Sequence, residues 1–435
     1  MTLPETAPAG AEPADASAPT AAASPDRTGI SRRGLIGWAV GSGVAGLAVG
    51  AGAAAAGAGI LRGAAPPDEF AFEGAHQAGI TTRVQDHLHF ASFDMMPRAR
   101  RDDLVSLLQD WSHAAARMVT GLDVSASGAV GGPSEAPPDD SGEAQGLGAT
   151  GLTITFGLGP GLFDADGDRF GIAHRRPAAL APLPAFVGDA LDEAYTGGDL
   201  CIQACADDPQ VAVHAVRNLS RIAFGRARLR WSQLGFGRTS RTSAEQQTPR
   251  NLFGFKDGTA NILGDDAEAL DAHVWAGGGG EQAWMAGGSY LVARKIAMHI
   301  ETWDRLRLSE QDRTIGRAKG TGAPLSGGDE FAEPSFHGGA IDANAHVRLA
   351  HPTVNDGVRI LRRGYNYVDG NNGLGKLDAG LFFLSYQRTP AQFIGIQKRL
   401  ATDLMSEYVT HVGSGVWAIP PGAQKGSYVG AGLFS

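Results

Sequence analysis

The second half of this chain repeats the order of hydrophobic patterns found in its first half, and this repeat limits the possible folds more than any other feature. Alternating apolar and polar positions predict strands, whereas apolar residues at helical spacing predict helices. In the first half the order is strand, helix, strand and again strand, helix, strand, at residues 86–95, 98–119, 150–159, 198–206, 209–224 and 228–237. The first helix carries one apolar stripe, formed by Leu104, Leu107, Leu108, Trp111, Ala115 and Met118.

The second half contains the same kinds of segment. Strand and helix patterns alternate at residues 287–300, 301–317, 380–387, 390–405 and 415–420. Two such units indicate the duplication of one unit in which helices pack on one face of an antiparallel sheet. We therefore predict an α+β fold of two ferredoxin-like domains, the first at residues 63–240 and the second at residues 241–435.

Residues 1–62 differ in composition from the rest of the chain. Residues 1–26 are mostly Ala, Pro, Ser, Thr and Glu, a composition that buries too little apolar surface to order itself. Arg32 and Arg33 then precede an uncharged run of mainly Gly, Ala and Val, which is the arrangement of a twin-arginine export signal. A membrane anchor and a low-complexity tail are the alternatives. We predict a disordered leader, recognition by the twin-arginine export machinery, and an extracellular, cell-envelope or periplasmic location.

Net charge and cysteine content restrict the partners of the chain. A formal net charge of -9 leaves phosphate-backbone binding without its main driving force, so we expect no nucleic acid partner. Cys201 and Cys205 would lie about 13 Å apart on one face of a strand, at roughly 3.3 Å per residue, which is too far for a disulfide. Nothing nearby completes a metal site, so both are predicted to be core residues.

Three polar residues in the second half are candidates for chemistry. Asp257 lies between a lysine and a glycine in the segment NLFGFKDGTAN, residues 251–261. His346 begins the segment HVRLAHP, and Arg362 follows sixteen residues later in LRRGYNY. Taken singly, each has a structural explanation: a tight turn, a satisfied histidine and a solvated arginine. Histidines inside helix or strand patterns are predicted to be structural, namely His87, His89, His113, His214 and His299.

Taken together, these segments resemble those of the dye-decolorizing peroxidases. GFKDGTAN carries the glycine, aspartate, glycine signature of that family, and HVRLAHP, LRRGYNY and LDAGLFFLSYQ are similar to its haem-pocket segments. FEGAHQAGITT, at residues 72–82, is similar to a further family segment. The resemblance runs in the expected order from about residue 70 to the carboxyl terminus, and it is closest to the twin-arginine-exported, EfeB-like branch.

The resemblance implies two ferredoxin-like domains with haem b, one per chain, held in the C-terminal domain. It makes His346 the axial ligand of the haem iron and places His351, the rival ligand, beside the haem. The acid that contacts the other ring nitrogen of the axial histidine is expected to be Glu407, with Asp378 as the alternative. Such an acid raises the basicity of the ligand.

The same resemblance gives roles to the other pocket residues. Asp257 would take a proton from one oxygen of hydrogen peroxide and deliver it to the other. Arg362 would stabilise the negative charge on the departing oxygen. The expected haem-lining residues are Gly258, Thr259, Ala260, His351, Pro352 and Thr353, and Leu381 with Phe383 would form an apolar distal wall.

The activity implied is that of an exported haem b peroxidase that oxidises bulky, dye-like aromatic donors. Electrons would enter at the protein surface through an aromatic residue, for which the candidates are Trp111, Trp231, Tyr365 and Tyr386, although buried packing is the favoured role of each. One alternative activity is deferrochelatase-type release of iron from haem in iron uptake. The others are a non-catalytic haem-binding protein, which would not need Asp257 or Arg362, and an encapsulated cargo protein. A homo-oligomer is compatible with all of them.

Overall fold

Seven α-helices and nine strands lie within residues 69–435, the part of the chain that the computed structural model describes. The strands are β1 (His87–Met95), β2 (Thr153–Leu158), β3 (Leu200–Ala206), β4 (Ala227–Arg238), β5 (Ser289–Met298), β6 (Leu361–Arg362), β7 (Tyr365–Asn371), β8 (Leu377–Gln387) and β9 (Val409–Ile419). The helices are α1 (Arg101–Met118), α2 (Pro209–Ile222), α3 (Ala267–His273), α4 (Ile300–Trp303), α5 (Leu308–Ile315), α6 (His346–Leu349) and α7 (Pro390–Arg399). The predicted leader and export signal, residues 1–62, fall outside the described residues. Within residues 69–435, no helix is long and apolar enough to cross a membrane.

Each half of the chain forms a four-stranded antiparallel sheet with the same strand order. In the first half the order across the sheet is β2, β3, β1, β4, and in the second half it is β7, β8, β5, β9. Numbered within its own half, each sheet therefore has the order 2, 3, 1, 4. This is the order of a ferredoxin-like unit. The predicted α+β fold with two ferredoxin-like units is confirmed, whereas the exact domain boundaries stay a prediction.

The two sheets join at both edges and form a closed ring. β4 pairs with β7, where Phe236 lies opposite Asn366. β2 pairs with β9, where Leu158 lies opposite Ala418. β6 and β7 follow one another along the same side of β8. Each half thus covers the open sheet edges of the other, which would otherwise be exposed to unwanted pairing.

Local sequence signals explain where the longer helices begin. Asp208 precedes α2, and its carboxylate accepts hydrogen bonds from the backbone N–H groups of Gln210 and Val211. Thr389 and Gln392 form a reciprocal capping box at the start of α7, with Pro390 at its first position. These contacts satisfy N–H groups that have no partner inside the helix.

Alternation along the strands divides the core into an interior and an outer layer. Phe90, Trp231, Phe382 and Trp417 point into the ring and pack together, with ring centroids 5.2–6.3 Å apart. Cys201 and Cys205 are unpaired and buried in the same interior, so their predicted role as core residues is confirmed. On the outer layer every residue of the predicted α1 stripe is buried, and Trp111 stacks on Phe156.

The second half departs from the sequence expectation in three places. The predicted helix at residues 301–317 is two short helices, α4 and α5, and α7 ends at Arg399 before two 3-10 turns. Strand β7 was not predicted at all. Its Tyr365 and Tyr367 point into the ring, while Asn366 between them donates a hydrogen bond to the carbonyl of Gly237 on β4.

Candidate active site

The segment that contains Asp257 is a tightly turned loop. The Asp257 N–H donates to the carbonyl of Pro249, and an isolated bridge pairs Arg250 with Lys256. Gly258 follows in the left-handed region with φ +88°, and a Cβ atom there would lie 2.7 Å from the Cα of Ser240. Only glycine fits both the backbone angle and the close approach.

We expect Gly258→Ala to lower the free energy of unfolding by about 2–4 kcal/mol, because the loop must move away from Ser240 or keep a strained angle. Gly395→Ala is the matched control, since Gly395 lies exposed inside α7 with nothing within 4 Å of the added atom. That change should raise stability by about 0.5–1 kcal/mol. Urea denaturation of both variants measures the two changes in the free energy of unfolding, which should have opposite signs. Equal changes would contradict the assigned role of Gly258.

Asp257 and Arg362 form the central ion pair of the site. The Arg362 Nη1 lies 2.7 Å from Asp257 Oδ1, and both side chains are partly buried. The amide of Asn251 donates to the second carboxylate oxygen at 3.2 Å. Each side chain is therefore held in place by the other through a charge-assisted hydrogen bond.

Asn261 joins the Asp257 loop to the strand that carries Arg362. Its Oδ1 accepts from the Arg362 N–H at 2.8 Å, and its Nδ2 donates to the carbonyls of Arg362 and Arg241. The side chain is buried, so these hydrogen bonds do not compete with solvent. Sequence reasoning missed this positioning residue, although it is the last residue of the quoted segment GFKDGTAN.

His346 begins α6 and is held by a buried carboxylate. Its Nδ1 lies 2.6 Å from Asp403 Oδ2, and the other oxygen of Asp403 accepts from the Met405 N–H. Burial acts to lower the pKa of His346, but the Asp403 carboxylate outweighs burial and the pKa is raised. The charge of Asp257 also acts to raise this pKa, and the charge of Arg362 acts to lower it. Both residues therefore influence the protonation of His346. No atom among residues 69–435 makes a hydrogen bond to Nε2 of His346.

The partner of His346 is therefore Asp403 and not Glu407 or Asp378, the two acids expected from the sequence. Glu407 lies four residues further along, at the end of a 3-10 turn, and it is exposed to solvent. Asp378 is on β8 and, within the described residues, makes no contact with His346. Asp403 faces inward because it caps that same turn, with only 3% of its side chain exposed.

His351, the rival ligand, has both ring nitrogens occupied. Its Nδ1 lies 2.9 Å from Thr353 Oγ1, and its Nε2 lies 3.3 Å from a carboxylate oxygen of Glu333. The short turn Pro352–Val354 follows directly. This arrangement favours His346 over His351 as a ligand with a free nitrogen.

The remaining predicted pocket residues fall on two elements. Leu381 and Phe383 are half-buried on the same outer face of β8, and the ring of Phe383 packs against Phe393 of α7. Thr259 donates to Glu330, which also pairs with Lys256. Ala260 is exposed.

Four aromatic residues were candidates for an electron entry point at the surface. Trp111, Trp231, Tyr365 and Tyr386 are all buried, so the packing role favoured for each is confirmed and none of them offers an entry point at the surface. Trp231 is the most accessible, with 6% of its surface exposed.

The donor set fits a haem group. A histidine with a free Nε2 and a carboxylate behind Nδ1 is the usual arrangement of an axial ligand. The carboxylate and guanidinium of Asp257 and Arg362 are suited to proton transfer and charge stabilisation. Leu381 and Phe383 add apolar surface. His346 would hold the iron of such a group.

Comparison with known proteins gives matches over both halves of the chain. The family model described as Dyp-type peroxidase, N-terminal, matches residues 77–237, and that described as Dyp-type peroxidase, C-terminal, matches residues 248–424. A dye-decolorizing peroxidase from Thermobifida fusca is 36% identical over 451 residues, covering 94% of this chain and 98% of the relative. A deferrochelatase from Yersinia pseudotuberculosis is 35% identical over 367 residues, covering 82% of each chain.

Solved structures give the same result. DtpA from Streptomyces lividans, in an oxyferrous/water mixed complex, matches with a TM-score of 0.76 and 38% identity, covering 85% of this chain and 98% of that chain. A DyP-type peroxidase from Cellulomonas bogoriensis matches with a TM-score of 0.74 and 38% identity, covering 86% of this chain and all of that chain, 100%.

Proposed function

Because this chain belongs to the Dyp-type peroxidase family and is therefore a haem-dependent peroxidase, we propose that it oxidises bulky aromatic donors with hydrogen peroxide outside the cytoplasm. The observation that supports this proposal best is the Asp257–Arg362 ion pair. The charges of both residues affect the pKa of His346, the histidine with a free Nε2. A haem carrier without catalysis would have no use for that pair.

Haem, when bound, supplies the iron at which the O–O bond of peroxide is cleaved and which stores the two oxidising equivalents. Asp257 takes the proton from one peroxide oxygen and delivers it to the other, which leaves as water. Arg362 stabilises the negative charge that develops on the departing oxygen. Asn261 keeps the two side chains in register, since it binds the backbone of Arg362 on both sides.

Residues behind and around the pocket tune this chemistry. Asp403 accepts the Nδ1 proton of His346, which fixes the ring and leaves Nε2 as the metal-binding nitrogen. Leu381 and Phe383 limit the access of water to the reacting face. Gly258, Thr259, Ala260, His351, Pro352 and Thr353 remain the proposed haem-lining residues.

Steady-state oxidation of an anthraquinone dye by the haem-loaded protein tests this activity. We expect dye bleaching that depends on hydrogen peroxide and is lost when the protein is freed of haem. No bleaching of any aromatic donor by a fully loaded protein would contradict the proposal.

Deferrochelatase activity is the second candidate, because several relatives carry that name. The two activities differ in the fate of haem. A peroxidase keeps its haem through many turnovers, whereas iron release converts it to free porphyrin. Porphyrin fluorescence recorded during turnover separates the two, and a peroxide-independent rise in fluorescence would support iron release.

Asp403→Asn should weaken haem retention by about 10–100-fold, because the neutral amide no longer raises the basicity of His346. Asparagine keeps the size of the side chain and can still cap the turn that follows. The matched control is Glu407→Gln, four residues away and exposed, which should leave retention unchanged. The rate of haem transfer to apomyoglobin measures both. If Glu407→Gln weakens haem retention more than Asp403→Asn does, Glu407 is the acid that supports His346, as the sequence predicted.

Export by the twin-arginine route is part of the proposal and depends on Arg32 and Arg33. Replacing both with lysine should leave the protein in the cytoplasm, as cell fractionation would show. Unchanged export of the double variant would contradict this route.

A further inference from the structure

An open groove lies on the first half of the molecule, between α2 and the outer face of β1 and β4. We call it the α2–β4 groove, and its volume is about 670 Å³, within the usual range for small-molecule sites. Its lining is His89, Val216, Arg217, Ser220, Arg221, Phe224, Leu229 and Ser232. None of these residues belongs to the candidate active site.

The groove presents apolar surface that the fold leaves uncovered. Phe224, just beyond the end of α2, is 89% exposed, and Leu229 on β4 is 48% exposed. Leu234 and Phe236 continue the apolar strip along the same strand. Apolar residues that lie together on the surface and are rimmed by polar side chains mark interaction sites.

The rim of the groove is positively charged. The guanidinium of Arg221 donates to the carbonyls of Pro138 and Asp139 and to Asn218 Oδ1. Within residues 69–435 no carboxylate lies within 4.0 Å of it. Arg217 pairs with Glu143 at 3.3 Å but remains largely exposed. Glu143 neutralises Arg217, so the positive charge of the rim comes from Arg221, and this charge favours an anion.

His89 lines the groove with a partly buried imidazole ring. Its Nδ1 is shielded from solvent and has no hydrogen-bond partner in the described part of the chain. Burial lowers the pKa of His89 to about 4, so the ring is neutral near pH 7. His89 therefore adds no positive charge to the groove, and the preference for an anion depends on Arg221.

We propose that the α2–β4 groove binds an aromatic anion, such as an aryl sulfonate or aryl carboxylate, as the electron donor. The donor ring stacks on Phe224 and Leu229, and its acidic group lies against Arg221. A second copy of this chain is a poorer occupant, because its own positive rim would meet this one. The role as donor site rests on the proposed function, while the binding itself does not.

The position of the groove suits a donor. Along β1 and β4 the side chains alternate, so His89 and Ser232 face the groove while Phe90 and Trp231 face the ring interior. Phe90 lies 5.2 Å from Trp231 and 5.3 Å from Phe382, measured between ring centroids. Phe382 is on β8, the strand that carries the pocket wall. The donor must also carry a phenolic hydroxyl or aromatic amino group: two such donors each lose one electron and one proton from that group, and one hydrogen peroxide takes both electrons and both protons to give two waters.

Isothermal titration of the haem-loaded protein with 2-naphthalenesulfonate tests the binding, and neutral 2-naphthylmethanol serves as the comparison probe. We expect Arg221→Gln to weaken binding of the sulfonate by about tenfold without affecting the alcohol, since a charge-assisted contact is lost. Phe224→Ser should weaken both probes by about fivefold. Leu374→Ser is the control, because Leu374 is 84% exposed in the turn between β7 and β8. Leu374→Ser should leave the affinity for both probes unchanged.

Two results would overturn the proposal. One is equal affinity for the charged and neutral probes in the wild type and in Arg221→Gln. The other is a dimer, seen by sedimentation velocity, that Phe224→Ser converts to a monomer, because a second copy would then cover the groove.

A kinetic measurement separates this inference from the proposed function. In both groove variants kcat/KM for a sulfonated aromatic donor should fall about as much as the affinity, while the rate of reaction with hydrogen peroxide stays unchanged. If the wild type oxidises no donor, the proposed function fails even where the titration succeeds. If the wild type and the two groove variants oxidise the sulfonated donor equally fast, only the donor site is wrong.

Discussion

Asp257→Asn is expected to slow the reaction of the haem-loaded protein with hydrogen peroxide by about 10²–10⁴-fold, the usual contribution of a positioned acid–base group. The reason is geometric. Asp257 is the carboxylate paired with Arg362, and the charges of both act on His346. Asparagine keeps the shape and can still accept a hydrogen bond from Arg362, but it cannot take or return a proton. Stopped-flow absorbance after mixing with one equivalent of peroxide measures the rate.

Asp265→Asn is the matched control for this experiment. Asp265 lies in the same segment of chain but is exposed, and it forms no ion pair within residues 69–435. Its rate should equal that of the wild type. If Asp257→Asn also reacts at the wild-type rate, proton transfer does not pass through residue 257, and Arg362 or solvent must supply it. If the ferric spectrum of the wild type itself does not change after mixing with peroxide, iron release from haem becomes the favoured activity.

His346→Ala should abolish stable haem binding, lowering affinity by more than the roughly 10–100-fold typical of losing a supporting residue. His346 is the histidine that presents a free Nε2 with a buried carboxylate behind the ring. Haem content after gel filtration and the position of the main haem absorbance band provide the measurement. Added imidazole should restore part of the binding in the alanine variant, because it can occupy the vacated space.

His351→Ala is the comparison, since His351 is only five residues away. Both of its ring nitrogens are already in contact with other groups, Thr353 and Glu333. We expect this variant to keep its haem and the spectrum of a histidine-ligated iron. The opposite pattern, with haem lost from His351→Ala and kept by His346→Ala, would exchange the two assignments.

Much of the fold and part of the site could be predicted from the sequence. Strands β1, β3 and β4 and helices α1 and α2 came from the spacing of apolar residues, because each has one buried face and a regular period. Asp257, Arg362 and His346 came from a family resemblance, and the fold places Asp257 in contact with Arg362 and within the electrostatic influence of His346.

The identity of the acid behind His346 could not be predicted. Asp403 and Glu407 lie at the two ends of one 3-10 turn, and either could in principle reach a neighbouring element. The choice depends on which end of the turn faces inward. That direction follows from tertiary packing and leaves no signal in the order of residues.

Strand β7 was missed for a related reason. Tyr365 and Tyr367 alternate with Asn366, a residue that strands usually disfavour. Asn366 is tolerated because its side chain bonds across to β4 of the other half. The pairing that stabilises β7 is therefore remote in the sequence, as are the contacts that close the ring.

Closure of the ring has a consequence for the order in which this chain becomes folded. β9, at residues 409–419, is the strand that joins β5 to β2, and its partner β2 lies more than half of the chain away from it. During synthesis the free edges of β2 and β5 stay unsatisfied until this last strand has left the ribosome. Contacts of such high sequence separation slow folding and lengthen the time in which strand edges can aggregate. A chain truncated before β9 would carry that hazard permanently.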